Sequence, residues 1–180
     1  MIIENKIIDL NGKELLLRNA TAEDAEMLLD YLKITGAETK FLIKEPEEIT
    51  FTIEQEQEYI KNQNESENSI MILGFLDGEY VGNCALMGNR LIRFRHRVTM
   101  GIALYQRFTN MGIGRIMIEE LIAIAKEKGF EQMELEVLAG NDRALHLYKS
   151  LGFEIYGTFP KNMKYKDGTY ADAYWMMKKL

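Results

Sequence analysis

The stretch FTNMGIGRIMIEEL, residues 108–121, decides the fold because it places a glycine-containing turn directly before an apolar helical run. Gly112 and Gly114 stand one residue apart at this junction, although glycine costs about 1 kcal/mol relative to alanine inside a helix. A helix N-terminus carries unpaired N–H groups and a partial positive charge, and glycines there let a ligand approach the backbone. The stretch therefore favours an anion-binding turn, typically for phosphate, with a tight βα turn as the alternative on spacing alone.

Two familiar phosphate-binding motifs are excluded by the residues around this turn. The dinucleotide fingerprint requires a third glycine at position 117, where the chain has Met117. The P-loop requires Gly-Lys-Ser/Thr, but Arg115 follows Gly114. The stretch is therefore predicted to be an anion-binding turn that lacks the signatures of NAD and ATP sites.

The composition indicates one globular domain over residues 1–180. Hydrophobic residues make up 47% of the chain and charged residues 28%, which suits a substantial core. The formal net charge of −6 argues against sequence-independent nucleic-acid binding, which depends on basic patches. One local basic run, RFRHR at residues 93–97, stands against this acidic background. We therefore expect no nucleic-acid partner.

Neither a metal site nor a membrane segment is predicted. The single Cys84 lies in the apolar stretch VGNCALM and is expected in the core, and no CxxC or Cys/His cluster suggests zinc. The N-terminal MIIENKIIDL is too short and too charged for a signal peptide. No apolar run approaches the roughly 20 residues that a membrane span needs. The expected location is the cytoplasm.

Hydrophobic periodicity and turn signals predict an α/β (α+β) chain with the order ββ-α-α-β-β-β-α-β-α-β-β. Hairpins are expected around Asn11-Gly12 and Asp77-Gly78. The strand–helix–strand unit that contains the glycine turn should be parallel and right-handed. This order fits a mixed, mostly antiparallel central sheet of about seven strands, with about four helices on both faces.

Capping residues mark the first two helices. Thr21 opens the first helix, and Gly36 is expected to end it. Thr52 with Gln55 has the pattern of a capping box for the second helix, which is expected to end near Asn62.

Three pieces of sequence occur together in an order that is typical of one family. They are the glycine turn, the helix pattern Asn-x-x-Ala-x-x-x-Tyr at Asn141, Ala144 and Tyr148, and the strand start Gly152-Phe153. From about Glu14 to the end, the chain resembles the GNAT superfamily of acyl-CoA-dependent N-acetyltransferases. In its motifs it is most similar to bacterial L-amino-acid and ribosomal-protein-alanine N-acetyltransferases. The resemblance implies the GNAT fold and an acetyl-CoA-dependent acyltransferase without a metal.

The resemblance also implies which residues bind acetyl-CoA. In the family, the turn reads Gln/Arg-x-x-Gly-x-Gly/Ala and its amides hold the pyrophosphate; this chain has Thr109 at the first position. Asn110 replaces a common glycine, and Asn tolerates a left-handed backbone. The preceding strand resembles the one that pairs with the pantetheine arm, and the later helix the one that lines the thioester end. The implied cofactor-binding residues are Ile102, Ala103, Leu104, Thr109, Asn110, Met111, Gly112, Ile113, Gly114, Arg115, Asn141, Ala144 and Tyr148.

Two catalytic residues follow from the same resemblance. Tyr148 matches the helix tyrosine that protonates the leaving thiolate; its alternative role is a packing aromatic. Glu136 matches the glutamate that serves as base in ribosomal-protein-alanine acetyltransferases; its alternative is a solvent-facing strand residue, because Leu135 and Val137 take the opposite face. At the strand position where other members carry a basic glutamate, this chain has Thr99, which cannot act as a base.

Three residues are candidates for acceptor binding. Arg95 could receive the carboxylate of an amino acid, and His96 lies in a segment that resembles the L-amino-acid acetyltransferases; a solvated loop is the alternative for this run. Phe41 lies between the first two helices, where the family forms its acceptor site, with helix packing as its alternative role.

The sequence thus predicts direct acetyl transfer to a primary amine of a small molecule, with an amino acid favoured, or to a protein N-terminus. Polyamines and antibiotic amines remain alternative acceptors. A non-catalytic acyl-CoA-binding module or sensor is the alternative function. A homodimer is compatible with the family, and a membrane partner is not expected.

Overall fold

The computed structural model describes all 180 residues and contains eight strands and four α-helices. In chain order the elements are β1 Lys6–Leu10, β2 Lys13–Asn19, α1 Ala25–Glu38, α2 Ile53–Glu65, β3 Ser69–Leu76, β4 Glu79–Gly88, β5 Arg97–Leu104, α3 Ile113–Glu127, β6 Gln132–Leu138, α4 Asp142–Ser150, β7 Glu154–Lys164 and β8 Tyr170–Lys179. They form one sheet in the order β1-β2-β3-β4-β5-β6-β8-β7. The predicted fold class and element order are confirmed, with eight strands where about seven were expected. No helix is both long and apolar enough to cross a membrane.

The chain divides into two compact units, each made of two separate stretches. Unit 1 contains residues 1–87 and 101–121, and unit 2 contains residues 88–100 and 122–180. The expectation of one domain over residues 1–180 stays a prediction.

Unit 1 begins with the two predicted hairpins, and both are confirmed. Asn11 and Gly12 have φ of 56° and 83°, and Asp77 and Gly78 have φ of 51° and 83°. Two successive residues with positive φ give the turn whose twist matches the flanking strands, which explains why Asn-Gly and Asp-Gly stand there. The antiparallel strands and the first part of α3 enclose an apolar core. The most buried side chains of this core are Leu15, Leu17, Ile70, Ile72, Leu73, Leu86, Ile113 and Met117.

Helix α2 begins as predicted, whereas α1 begins at Ala25, after a 3-10 turn at Ala22–Asp24 that Thr21 caps. Both helices end later than predicted. The backbone N–H of Gln55 donates to Thr52 Oγ1 at 3.2 Å, which confirms the capping box of α2. The prediction that Gly36 ends α1 is wrong, because the helix continues to Glu38. Gly36 instead lets the chain pass close by: a Cβ there would lie 3.1 Å from the Lys44 carbonyl oxygen. Helix α2 likewise ends at Glu65 and not near Asn62.

Unit 2 is built on the strands β6, β8 and β7. Strand β8 pairs antiparallel with β6 along residues 132–138 and with β7 on its other side. Strand β5 pairs with β6 in parallel, as predicted, but only from Arg97 to Thr99. The ladder therefore stops well before β5 ends at Leu104, and the last part of β5 has no partner from β6.

Candidate active site

The glycine turn adopts a backbone that few residues can adopt. Asn110 has φ of 62° and Gly112 has φ of 86°, so both lie in the left-handed region. The prediction that Asn110 supplies a left-handed residue is confirmed, and Gly112 is required for its conformation. Helix α3 begins at Ile113, and its first i to i−4 hydrogen bond runs from the N–H of Ile116 to the carbonyl of Gly112 at 3.2 Å. The preceding amides therefore lie at the positive end of a 15-residue helix.

The side chains of the turn are largely engaged within the protein. The Thr109 hydroxyl donates to the Gln106 carbonyl at 2.7 Å, which braces the turn. Arg115 forms an ion pair with Glu119 at 3.6 Å along the surface of α3. Ile113 is fully buried, whereas Met111 is exposed. A ligand at this turn would therefore meet backbone amides more than side chains, as the departure at Thr109 suggested.

The carbonyl of Ala103 in β5 is held from the side of β4 and α1. The Tyr31 hydroxyl of α1 donates to it at 2.7 Å. Gly82 of β4, with φ of 143°, allows this approach, because a Cβ there would lie 2.3 Å from the Ala103 oxygen. Peptide groups alternate along a strand, so those of Ile102 and Leu104 point to the opposite edge. The contacts of Ile102, Ala103 and Leu104 with a cofactor stay predictions.

Tyr31→Phe should test this support of β5. The change removes the hydrogen bond to the half-buried Ala103 carbonyl, which costs about 0.5–1.5 kcal/mol. We expect a lower free energy of unfolding in urea and a weaker binding of acetyl-CoA by calorimetry. The control is Tyr105→Phe, a neighbouring ring that packs edge-to-face against Tyr31 at 5.2 Å and makes no such hydrogen bond. Equal stability of the two variants would show that the hydroxyl of Tyr31 does not support the strand.

Helix α4 in unit 2 carries the Asn-x-x-Ala-x-x-x-Tyr pattern. Asn141 is the N-cap, and its side-chain oxygen accepts from the N–H of Ala144 at 3.3 Å. Ala144 is half-buried in the first turn. Tyr148 is buried and packs edge-to-face against Phe153 at 6.0 Å. Burial raises the pKa of Tyr148 to about 12, so its hydroxyl keeps its proton at neutral pH.

Glu136 lies on the exposed face of β6, as its alternation with the buried Leu135 and Val137 predicts. Its carboxylate is not free in solvent. Trp175 Nε1–H donates to Oε2 at 2.8 Å, and Asn162 Nδ2 donates to Oε1 at 2.7 Å. Glu136 is therefore a carboxylate with a fixed orientation.

The three predicted acceptor residues lie in loops. Phe41 is half-buried after α1, in unit 1. Arg95 is exposed in the turn before β5, and His96, half-buried beside it, accepts the Glu131 N–H at its carbonyl at 2.7 Å. Neither side chain of the Arg95–His96 pair forms a hydrogen bond or an ion pair with Glu136. Their roles stay predictions.

Four residues that support the site were not predicted from the sequence. Gly82 carried a usable signal, because an isolated glycine in a strand marks a close backbone approach. Tyr31, Asn162 and Trp175 carried none, because each acts through a residue far away in the chain.

Known proteins resemble this chain in sequence and in fold. The profile described as the acetyltransferase (GNAT) family matches residues 37–153. The L-amino acid N-acetyltransferase AaaT of Escherichia coli K12 is 31% identical over 106 residues, which cover 58% of this chain and 65% of that enzyme. The chain thus spans less than two thirds of the length of this curated relative.

Two crystal structures match nearly the whole chain. An acetyltransferase of the GNAT family from Streptococcus pneumoniae has a TM-score of 0.88 and 32% identity, and covers 93% of this chain and 100% of its own. A ribosomal-protein-alanine N-acetyltransferase from Brucella melitensis has a TM-score of 0.80 and 25% identity, with coverage of 91% and 99%. Both share the strand and helix arrangement described above.

Proposed function

The chain belongs to the acetyltransferase (GNAT) family, and on that premise we propose that it transfers the acetyl group of acetyl-CoA to a primary amine. The observation that carries the proposal is the glycine turn, where the left-handed Asn110 and Gly112 open the N-terminus of α3. Free amides at a helix N-terminus suit a pyrophosphate. The edge of β5 at Ile102 and Leu104 suits the amide groups of a pantetheine arm.

The proposed reaction depends mainly on a backbone N–H and on the alignment of the two reactants. The neutral amine attacks the thioester carbonyl, and a backbone N–H near Ile102 to Leu104 polarises the oxygen that becomes negative. Holding both reactants in line supplies much of the rate. Tyr148 protonates the departing thiolate, a role for which a hydroxyl that is protonated at neutral pH is suited. Glu136 is the candidate base that takes the proton which the acceptor ammonium must lose before it attacks.

We propose an amino acid as the acceptor. The Escherichia coli relative is named for L-amino acids, and the tail of this chain resembles that group. The exposed guanidinium of Arg95 would receive the carboxylate of the amino acid as a charge-assisted hydrogen bond. A peptide N-terminus is the second acceptor class, since the Brucella melitensis neighbour is named for a ribosomal protein alanine.

An amine panel with CoA release as the readout tests both parts of the proposal. We expect release with free amino acids such as phenylalanine and methionine, and about 10- to 100-fold lower kcat/KM with their amides, because one charged hydrogen bond is worth about 1.5–3 kcal/mol. The Arg95→Ala variant should remove the difference between acids and amides. Equal rates in the wild-type protein would argue against carboxylate recognition. Binding of acetyl-CoA without release across the panel would favour the non-catalytic sensor.

A further inference from the structure

The carboxylate of Glu136 has a built environment that the family resemblance does not explain. Each of its two oxygens accepts one hydrogen bond from a neutral donor, Trp175 Nε1–H at 2.8 Å and Asn162 Nδ2 at 2.7 Å. The two donors come from different strands, β8 and the end of β7. Neutral donors orient a carboxylate without cancelling its charge, so the anion remains available to a cation.

The sheet register places the indole of Trp175 beside the Glu136 carboxylate. Glu136 lies directly opposite Trp175 across the β6–β8 pair, and Trp175 lies opposite Gly157 across the β8–β7 pair. A Cβ on Gly157 would meet the indole Cε3 at 3.1 Å, so the missing side chain makes room for the ring. Glu136, Trp175 and Gly157 thus form one row across three strands, with the indole N–H directed at the carboxylate.

A bulge in β7 places the second donor. The β7–β8 register shifts between Phe159 and Met163, and Lys161 inside the bulge has a left-handed φ of 52°. This conformation is costly for lysine, and the N–H of Lys161 is fixed by Asp172 Oδ1 at 2.7 Å. A bulge redirects the side chains beside it, and here the result is the Asn162 contact with Glu136.

The surroundings of Glu136 are aromatic and partly exposed. Trp175 is 38% exposed; Tyr156 stacks on it at 6.3 Å, and Phe159 packs against it at 5.6 Å. The neighbouring Glu134 is already neutralised by Arg97 at 3.1 Å. No cation of the protein pairs with Glu136, because both of its hydrogen-bond partners are neutral.

We infer that Trp175 and Asn162 are positioning residues that hold the Glu136 carboxylate as a fixed anionic site for the cationic amine of the acceptor. This inference rests on the proposed function for its ligand class, a primary ammonium. The aromatic faces of Trp175, Tyr156 and Phe159 suit the same class, because a cation is attracted to a ring face.

A binding experiment tests the site without turnover. Trp175 is the only tryptophan of the chain, so the indole N–H gives a single signal in an amide correlation NMR spectrum. We expect n-butylammonium to shift this signal with saturation, and the uncharged 1-butanol to leave it in place. The Glu136→Gln variant should abolish the response. An indole signal that ammonium does not move would overturn the inference, whatever the amine panel shows.

Steady-state kinetics then separates positioning from general support of the fold. Trp175→Phe and Asn162→Ala should each raise the acceptor KM about tenfold, as expected for the loss of one hydrogen bond to a charged group, while the KM of acetyl-CoA changes by less than about twofold. Asn62→Ala removes a comparable exposed hydrogen bond from an amide to a carboxylate, to Glu58 Oε1 at 3.4 Å in α2, and is the matched control, with an acceptor KM close to wild type. In a Glu136→Ala background the two changes should add nothing further. Additive effects would overturn the inference.

The two experiments keep this inference separate from the proposed function. If ammonium shifts the indole N–H signal but no amine causes CoA release, the Glu136 site is supported and acetyl transfer is refuted. CoA release together with an indole N–H signal that ammonium does not shift would support acetyl transfer and refute the Glu136 site.

Discussion

Tyr148→Phe is expected to lower turnover by about 10- to 10³-fold, the usual range for loss of a proton-transfer group. The phenol would no longer protonate the departing thiolate, while the ring would keep its packing against Phe153. The affinity for acetyl-CoA should therefore stay similar. The measurements are single-turnover CoA release for the chemical step and calorimetry for binding.

The pH dependence gives a second test of Tyr148. Because burial raises the pKa of Tyr148 to about 12, its proton is present throughout the neutral and mildly alkaline range. Turnover of the wild-type protein should rise with pH as the acceptor amine loses its proton, without a falling alkaline limb below about pH 10. Tyr170→Phe, at an exposed tyrosine of β8, is the matched control and should leave turnover unchanged. Unchanged turnover in Tyr148→Phe would remove this residue from the mechanism.

Gly82→Ala is expected to lower the free energy of unfolding by about 2–4 kcal/mol and to weaken acetyl-CoA binding. Two causes act together. The φ of 143° is strained for alanine, and the new Cβ would lie 2.3 Å from the Ala103 oxygen and 2.7 Å from the Leu104 Cα. Both neighbours are backbone atoms, so strand β5 itself must move. The hydrogen bond from Tyr31 to Ala103 would be disturbed by that movement.

The control for Gly82→Ala is Gly12→Ala, which isolates the backbone strain. Gly12 has φ of 83°, but nothing lies within 4 Å of an added Cβ. Its replacement should therefore cost only about 1–2 kcal/mol and leave acetyl-CoA binding intact. Urea denaturation and a binding titration on both variants distinguish the two. A loss of stability no larger at Gly82 than at Gly12 would refute the close packing of β4 against β5.

Local signals predicted most of the fold. The Asn-Gly and Asp-Gly dipeptides predicted the two hairpins, and Thr52 with Gln55 predicted the start of α2. Each of these patterns acts within about four residues of the chain. The end of α1 was not predictable in this way. Gly36 lies within the helix and makes room for the Lys44 carbonyl of the following loop, which is a tertiary contact.

In the candidate site, too, the features set by nearby residues were predictable and those set by tertiary contacts were not. The left-handed Asn110 and the cap at Asn141 were readable from sequence, since they depend on their own backbone. The length of the β5–β6 ladder was not, because parallel pairing depends on two strands that α3 separates. The contacts of Glu136 were also hidden, since the β7 bulge sets them. Local chemistry can be inferred from a sequence far more readily than register.

The short β5–β6 ladder has a consequence for how long the protein persists. A strand whose backbone groups face an uncovered edge is a template for pairing with another chain. A pantetheine arm along that edge would occupy the template, and a ligand that binds only the folded state stabilises it by RT ln(1 + [L]/Kd). If acetyl-CoA binds there as proposed, the resistance of this chain to aggregation and proteolysis should rise with the concentration of acetyl-CoA.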